Sequence, residues 1–453
     1  MPDIVKLPKT LDLASEFPPV ATADWEKTIV DDLKGADYAK KLIWKAEGLD
    51  IRPYHRKEDL PPTLPRHWPA TPWEIRTVPP PATAIDGAKL HNAGATAVQE
   101  VGYAIAEGID RLAAGTAPAS IEFTFAAGSL FLIEIAKFRA ARAVWDQVLA
   151  TFNIPAAQRT VRIHAVTSTA NKSLLDPDTN LLRCTTEAFS AVVGGCDTLF
   201  IPAIGVDARL AKNIQLILKE EAQADKVADP AGGSYTLEAI TDSIAKAAWA
   251  IIKEVEAAGG YAKAAPAMEA AIAAARSARE KAVATRRQTL VGVNNYPGAA
   301  APEGLTAKCL GSLGWRLALP LERIRLRTMQ AAKRTGAAPK VLMLTRGDVA
   351  MRVARATFIR NFLGCAGFDI VESEQLQKAD LVVLCSSDAE YVDLAKDVCP
   401  QAGAPVIVAG NPKEQIEALT AAGVAGFIHV MSNLVESLTQ WQDKLGLPAL
   451  EET

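Results

Sequence analysis

Lys226-Val227-Ala228-Asp229-Pro230-Ala231-Gly232-Gly233-Ser234-Tyr235 is the stretch on which the fold turns. Lys226-Val227-Ala228 reads as a short strand. Pro230 ends it, because proline has no N–H to give a ladder. Gly232 and Gly233 supply the backbone freedom of a corner. The Asp229 carboxylate, placed before Pro-x-Gly-Gly, is expected to tie the strand end to the turn by accepting backbone N–H groups. From Leu237 the apolar residues recur at helical spacing, so the stretch reads as one β/α unit.

The same alternation extends upstream. Ile121–Phe125, Thr160–Val166 and Leu199–Ile201 read as strands. Helices are predicted over 93–113, 129–151, 181–193 and 208–221. The first carries Val98, Val101, Ile105, Ile109 and Leu112 on one stripe. Repeated β/α units argue a parallel sheet covered by helices. Downstream, helices fill 237–290 with a break at Gly259-Gly260, and 297–306 reads as a Pro/Gly linker. A basic helix follows over 321–334, its charges read as a solvated face.

Residues 339–448 start a second series. Val341–Leu344, Asp369–Val371, Leu381–Leu384, Val406–Val408 and Gly426–Ile428 are five strand signals with helices between them, among them 349–363 and 412–422. That is the pattern of a doubly wound, flavodoxin-like domain. At the other end, Thr22 is expected to cap a helix over 23–33, and Glu47-Gly48 to turn a hairpin between Leu42–Trp44 and Leu49–Ile51. Pro61–Pro81 is too proline-dense for a helix or a central strand. The expected division is an arm and extended segment (1–80), a β/α domain with a helical extension (81–296), a linker with the basic helix (297–338) and a C-terminal domain (339–453).

The 453 residues are 49% apolar with a net charge of −3, enough for sizeable cores and without the basic footprint of a nucleic-acid binder. No apolar run is long enough for a membrane span, and Met1–Val5 lacks a signal-peptide layout. Cys184, Cys196, Cys309, Cys365, Cys385 and Cys399 have no C-x-x-C spacing and read as buried free thiols of a cytoplasmic protein. His55, His67, His91, His164 and His429 are too scattered for a histidine metal site, so no metal is expected.

Five segments, in order, resemble the cobalamin-dependent methylmalonyl-CoA mutases. They are Asn92–Ala95 with Glu100 and Ala106–Gly108; Glu134-Ile135-Ala136-Lys137-Phe138-Arg139-Ala140; Arg162-x-His164 with Thr167-Ser168; Val227–Tyr235; and Val291–Tyr296. The resemblance implies an eight-stranded β/α barrel for an acyl-CoA substrate and a flavodoxin-like domain for adenosylcobalamin, whose cobalt–carbon bond supplies the radical for carbon-skeleton isomerisation. Residues 77–85 are all that lie between Arg76 and Asp86, where the family has about half its barrel. The implied fold is therefore α/β: a half TIM-type barrel followed by a flavodoxin-like domain.

The departures fall on chemistry. The family's cobalt-binding D-x-H-x-x-G falls on Ala350, Arg352 and Arg355, and a guanidinium has no lone pair to give cobalt. Its S-G-Y-H falls on Asp86–Lys89, so Lys89 stands where the family has a catalytic histidine, and Val166 replaces a glutamine. The resemblance makes Lys89, His164, Thr167, Asn213 and Gln215 the substrate- or cofactor-facing candidates. His164, flanked by Ile163 and Ala165, reads rather as a satisfied core histidine, and Asn213 and Gln215 as facing the barrel axis or capping its end. Asp229, Pro230, Gly232 and Gly233 are structural. No residue is assigned as catalytic.

The expected function is the small subunit of a heterodimeric methylmalonyl-CoA mutase, inactive by itself. The catalytic large subunit is its partner and holds the adenosylcobalamin, and acyl-CoA is the substrate of the complex. Two other readings stand beside it: a catalytic acyl-CoA mutase that binds cobalamin without a histidine ligand, and a non-enzymatic binding or regulatory protein on the same scaffold.

Overall fold

The computed structural model describes residues 17, 19–61, 68, 71–298, 302 and 304–452. The arm begins with α1 (Thr22–Asp32) and α2 (Tyr38–Lys41), then the hairpin β1 (Trp44–Ala46) and β2 (Leu49–Ile51). Glu47 and Gly48 turn it with φ of 55° and 80°, the left-handed pair that matches strand twist. Thr22 does not cap α1. It is the helix's first residue, its hydroxyl donates to Glu58, and Ala21 holds the cap position without a side-chain bond. Most of the proline-rich run, 62–67 with 69 and 70, lies outside the described residues, as do 299–301 and 303 of the linker.

The first sheet contains β3 (Glu74–Arg76), β4 (Ile85–Asp86), β5 (Glu122–Ala127), β6 (Arg162–Thr167) and β7 (Thr198–Phe200). All are parallel, in the order β3-β7-β6-β5-β4. Side chains alternate between faces. Phe123, Phe125, Ile163, Ala165 and Leu199 enter the main apolar core. That core is shared with α4 (Ala97–Ala113), α5 (Phe131–Thr151), α6 (Pro177–Val193), α7 (Ala208–Leu216) and α8 (Tyr235–Ala257). The alternate positions carry Glu122, Thr124, Arg162, His164 and Thr198, with Ala126, Val166 and Phe200 toward the carboxyl ends.

Three expectations change here. Residues 226–228 are not a strand; they are exposed bends, and Val227 stands out in solvent. The place beside β7 is taken by β3, which leaves the stretch no ladder to join. The helix expected over 93–113 is two: α3 (Gly87–Asn92) stops at Gly94, whose φ is 115°, and α4 restarts from the Thr96–Gln99 capping box. The helix expected over 208–221 closes as a π turn, Ile217–Glu221. The break between α8 and α9 (Tyr261–Ala284) does fall at Gly259-Gly260.

After α10 (Ala307–Ser312) and α11 (Leu319–Thr335) comes the second parallel sheet: β8 (Lys340–Thr345), β9 (Asp369–Ser373), β10 (Leu381–Cys385), β11 (Val406–Ala409) and β12 (Val424–Ile428). Its order is β12-β11-β10-β8-β9. Helices α12 (Val349–Gly364), α13 (Tyr391–Val398), α14 (Ile416–Ala421) and α15 (Leu434–Lys444) connect and cover it.

The charges of α11 are not simply solvated. Arg323 and Arg334 pair with Glu452 and Glu451, and Arg327 binds Asp443 and the carbonyls of Leu447 and Pro448. Following α15, the chain therefore runs back along the basic face. The segment entering α11 holds a buried ion pair, Arg316 with Glu322 at 2.7 Å, and meets the loop after β6 through it: Arg316 donates to the Lys172 carbonyl. Glu322 also accepts from Ser173 Oγ and Leu174 N of the loop after β6.

Of the cysteines, Cys184, Cys196, Cys365 and Cys385 are buried, Cys399 is half-buried and Cys309 is exposed, against expectation. Among the described residues no helix is long and apolar enough to cross a membrane.

Candidate functional site

Parallel β/α sheets place ligands at the carboxyl ends of their strands, where successive loops converge. In the first sheet a cavity of about 560 Å³ stands there. Gly128, just after β5, and Ser168, just after β6, reach it from below. His91 enters from α3, and Glu134 from the first turn of α5. The β1–β2 hairpin and α9 close the other sides with Trp44, Glu47 and Arg279. Arg279 Nη2 lies 2.6 Å from Glu47 Oε2, and the same oxygen accepts from Ala97 N, so the arm is pinned to the body at the cavity wall.

The cavity floor is a buried charge network. Lys137 Nζ donates to Glu100 Oε2 and to the Ala126 carbonyl, each at 2.7 Å, and stands 2.6 Å from Glu134 Oε2 as an ion pair. Burial would push the Glu100 carboxyl up, but the Lys137 charge and the hydrogen bonds from His91 and Lys137 outweigh it and hold the carboxyl below its ordinary range. Burial likewise works against the Lys137 ammonium, and Glu100 and Glu134 outweigh it and raise its pKa. With Glu100 ionised, His91 Nδ1 donates to it at 3.2 Å. Nε2 is left as an acceptor, 2.9 Å from Ser168 Oγ. Gly128 is a close-approach glycine: a Cβ there would stand 3.1 Å from His91 Cε1 and 3.0 Å from Glu134 Oε1.

In the second sheet β8 and β10 are neighbours, and the chain leaves them in opposite directions. The crevice at their carboxyl ends is that sheet's ligand position. Here the chain's own charges fill it. The Glu390 carboxylate accepts from Ser386 Oγ, Ser387 Oγ, Ser387 N and Asp348 N, at 2.6–3.2 Å, and stitches the loop after β10 to the loop after β8. Arg355 pairs with Asp388 and its guanidinium lies against Gly410, after β11. Arg352 turns to Glu374 and Arg346 to Asp397. His429 is remote from this crevice in the strand order, following the edge strand β12, and its Nδ1 accepts from Met431 N.

The family model for methylmalonyl-CoA mutase matches residues 71–309, over half of the chain and the whole wall of the first cavity except the hairpin and Leu317. The chain belongs to the methylmalonyl-CoA mutase family. It is similar to the methylmalonyl-CoA mutase small subunit of Porphyromonas gingivalis, at 38% identity over 80% of this chain and 66% of that one. A small subunit of Streptomyces virginiae is 34% identical over 81% of this chain and 64% of its own length. The methylmalonyl-CoA mutase of Rhizobium meliloti is 38% identical over 47% of this chain and 33% of its own. This chain thus spans just under two thirds of the length of the small subunits it matches.

The five candidates Lys89, His164, Thr167, Asn213 and Gln215 do not assemble in the cavity. Lys89 is exposed and is not on its wall. His164 is buried on the polar face of the sheet, between Thr198 Oγ1 at 2.8 Å and Glu122 Oε2 at 3.1 Å, where it ties β5, β6 and β7 together. Thr167 points the other way, toward Cys184 of α6. Gln215 takes both the N–H and the C=O of Arg76 at the end of β3. Asn213, half-buried on α7, is not on the cavity wall either.

Asp229 behaves differently from expectation. Its side chain pairs with Arg139 of the mutase E-I-A-K-x-R-A helix, and it is the Asp229 backbone carbonyl that accepts from Gly232 N. A buried guanidinium attracts the carboxylate more strongly than turn amides do. Asp229 itself takes φ 43°, Gly233 takes φ 79°, and Pro230 is exposed in the turn.

The residues that do converge, His91, Glu100, Glu134, Lys137 and Ser168, went unassigned in the sequence. The signal was present: Glu134 and Lys137 stand at i and i+3 inside a helix that is apolar on nearly every side, and charge in such a place must be paired.

Proposed function

We propose that this chain is the small, non-catalytic subunit of a heterodimeric methylmalonyl-CoA mutase. A large subunit would carry adenosylcobalamin and the radical isomerisation of the acyl-CoA. The observation that carries the reading is the crevice of the second sheet. Where the family puts its cobalt-ligating loop, this chain offers Ala350, Arg352 and Arg355. The arginines are committed to Glu374 and Asp388, while Glu390 binds the loop between them and β8. These residues do not fit cobalamin: no imidazole faces the crevice among the described residues, and the space against Gly410 holds a guanidinium. No reaction step is assigned to the cofactor in this chain.

The arrangement of the sheets supports the same reading. The second sheet has the chain order 2-1-3-4-5 of flavodoxin-like domains. In the first sheet the earliest strand, β3, pairs with the last, β7, and the order runs 1-5-4-3-2. First-to-last pairing is how an eight-stranded barrel closes. We read the sheet as the arc of such a barrel left open between β3 and β4, with its inner face, which carries Glu122, Thr124, Arg162, His164 and Thr198, turned to a partner. A cytoplasmic location accords with the free thiols.

The test is reconstitution. The isolated chain with adenosylcobalamin should show no spectral shift and no turnover of methylmalonyl-CoA, and it should co-purify in fixed ratio with a large mutase subunit. Cofactor binding and turnover by the isolated chain would overturn the proposal. Failure to bind any large subunit would favour a binding or regulatory role.

A further inference from the structure

We propose that Ser168, His91 and Glu100 form a hydrolytic centre of their own, which cleaves small carboxylic esters in the cavity at the ends of β5 and β6. The three side chains are in series. Ser168 Oγ is 2.9 Å from His91 Nε2, and His91 Nδ1 is 3.2 Å from Glu100 Oε2. They come from three separate elements, the loop after β6, α3 and α4, and a nucleophile, base and carboxylate are recognised by this geometry rather than by their order in the chain.

The electrostatics set the tautomer that such a centre needs. Lys137 keeps Glu100 ionised in a site closed to water. Glu100 can then only accept, so the imidazole proton sits on Nδ1 and Nε2 faces the serine hydroxyl. Ser168 Oγ also accepts from Ala170 N at 3.1 Å, which holds the hydroxyl in place. Glu100 and Lys137 are positioning residues; Ser168 and His91 would touch substrate.

Ser168 and His91 both line the cavity, whose volume of about 560 Å³ suits a small molecule. Ser129 and Leu130 lie on the same wall and lead into α5, a helix of 21 residues whose start no side chain caps. Phe131 N and Glu134 N are taken by the Ser129 and Leu130 carbonyls, and the Leu132 and Ile133 N–H groups between them are donors of the kind that hold a carbonyl oxygen as it gains charge. Lys45 and Arg287 are exposed on the cavity wall and favour an ester whose far end is anionic.

The chemistry balances with water as the only co-reactant. Ser168 Oγ bonds to the ester carbon while its proton passes to His91 Nε2. The carbon–alkoxy bond breaks, and the alcohol leaves with that proton. Water then attacks the acyl-serine, gives one proton to Nε2, and releases the acid as Ser168 recovers its own.

The experiment needs neither cobalamin nor a large subunit, so its outcome is separate from that of the subunit proposal. The intact wild-type chain is treated with a fluorophosphonate and mapped by mass spectrometry, and 4-nitrophenyl acetate hydrolysis is followed in parallel. The expected result is one adduct, on Ser168, that does not form in urea. Hydrolysis should fall to the uncatalysed background in Ser168→Ala and His91→Gln, and stay unchanged in Ser243→Ala on the surface of α8. No adduct, or an adduct elsewhere, overturns the proposal. So does a folded Ser168→Ala chain that hydrolyses the ester at the wild-type rate. Should Ser168→Ala fail to fold, adduct mapping on the wild type decides alone.

Discussion

Lys137 and Glu100 meet at 2.7 Å with neither side chain exposed to solvent. One is on α5 and the other on α4, so the pair joins two helices over the end of β5, where Glu100 also accepts from Ala126 N. A buried pair gains little over apolar packing, but losing one partner strands the other as an unpaired charge.

Lys137→Met therefore strands both Glu100 and Glu134. The expected cost is ~3–5 kcal/mol, the range for breaking a buried pair, read as a lower unfolding midpoint in urea. The pair also sets a pH window. The folded Glu100 carboxyl lies below its unfolded value, so its contribution is complete above about pH 4.3 and is lost as pH falls through the lower folded value. The folded Lys137 ammonium lies above its unfolded value, so its contribution is complete below about pH 10.4 and is lost as pH rises through the higher folded one. Lys137→Met should flatten both limbs of a stability–pH curve. Unchanged limbs would place the pH dependence elsewhere.

Arg316→Met should uncouple the two halves of the molecule. It leaves Glu322 buried beside Ser173 and Leu174 without its cation, again at ~3–5 kcal/mol. Differential scanning calorimetry should show one transition in the wild type and two in the variant, with the second-sheet domain unfolding separately. A single transition shifted as a whole would mean that other contacts join the halves.

Thiol reactivity should separate one cysteine from the rest. Burial pushes Cys365 and Cys385 up to about 12 and raises Cys184, Cys196 and Cys399 as well. Thiolate is the reacting form, so Cys309, exposed on α10, should be the sole fast equivalent toward Ellman's reagent in native protein. Six fast equivalents would show a loosely packed chain.

Most of the architecture was legible in the sequence because it rests on periodicity. The five strands of the second sheet and the break at Gly259-Gly260 lie close to where alternation and glycine put them. What misled was local propensity without a partner. Val227 favours a strand, but strands exist only in pairs, and the edge of β7 is taken by β3, 124 residues upstream of it (Glu74 opposite Thr198). The site was harder for the same reason. His91 and Ser168 are 77 residues apart, and only the sheet, which brings the ends of β4 and β6 to either side of β5, makes them neighbours.

Glu390 offers the sharpest local test of the filled crevice. Hydroxyl donation from Ser387 and then Ser386, with the Asp348 and Ser387 amides, lowers its carboxyl to about 2. The depressed value means that the stitch between the loops is complete above about pH 4.3 and is lost as pH falls toward 2. Carboxyl carbon NMR should find that titration, and Ser386→Ala with Ser387→Ala should return it toward an ordinary glutamate. Glu390→Ala at neutral pH should speed hydrogen exchange at the Asp348 and Ser387 amides and leave the strand amides of β8 and β10 protected. An ordinary titration and slow exchange in the variant would mean that the loop after β8 is held by its own turn, with Asp348 capping α12 at Met351 N, and not by Glu390.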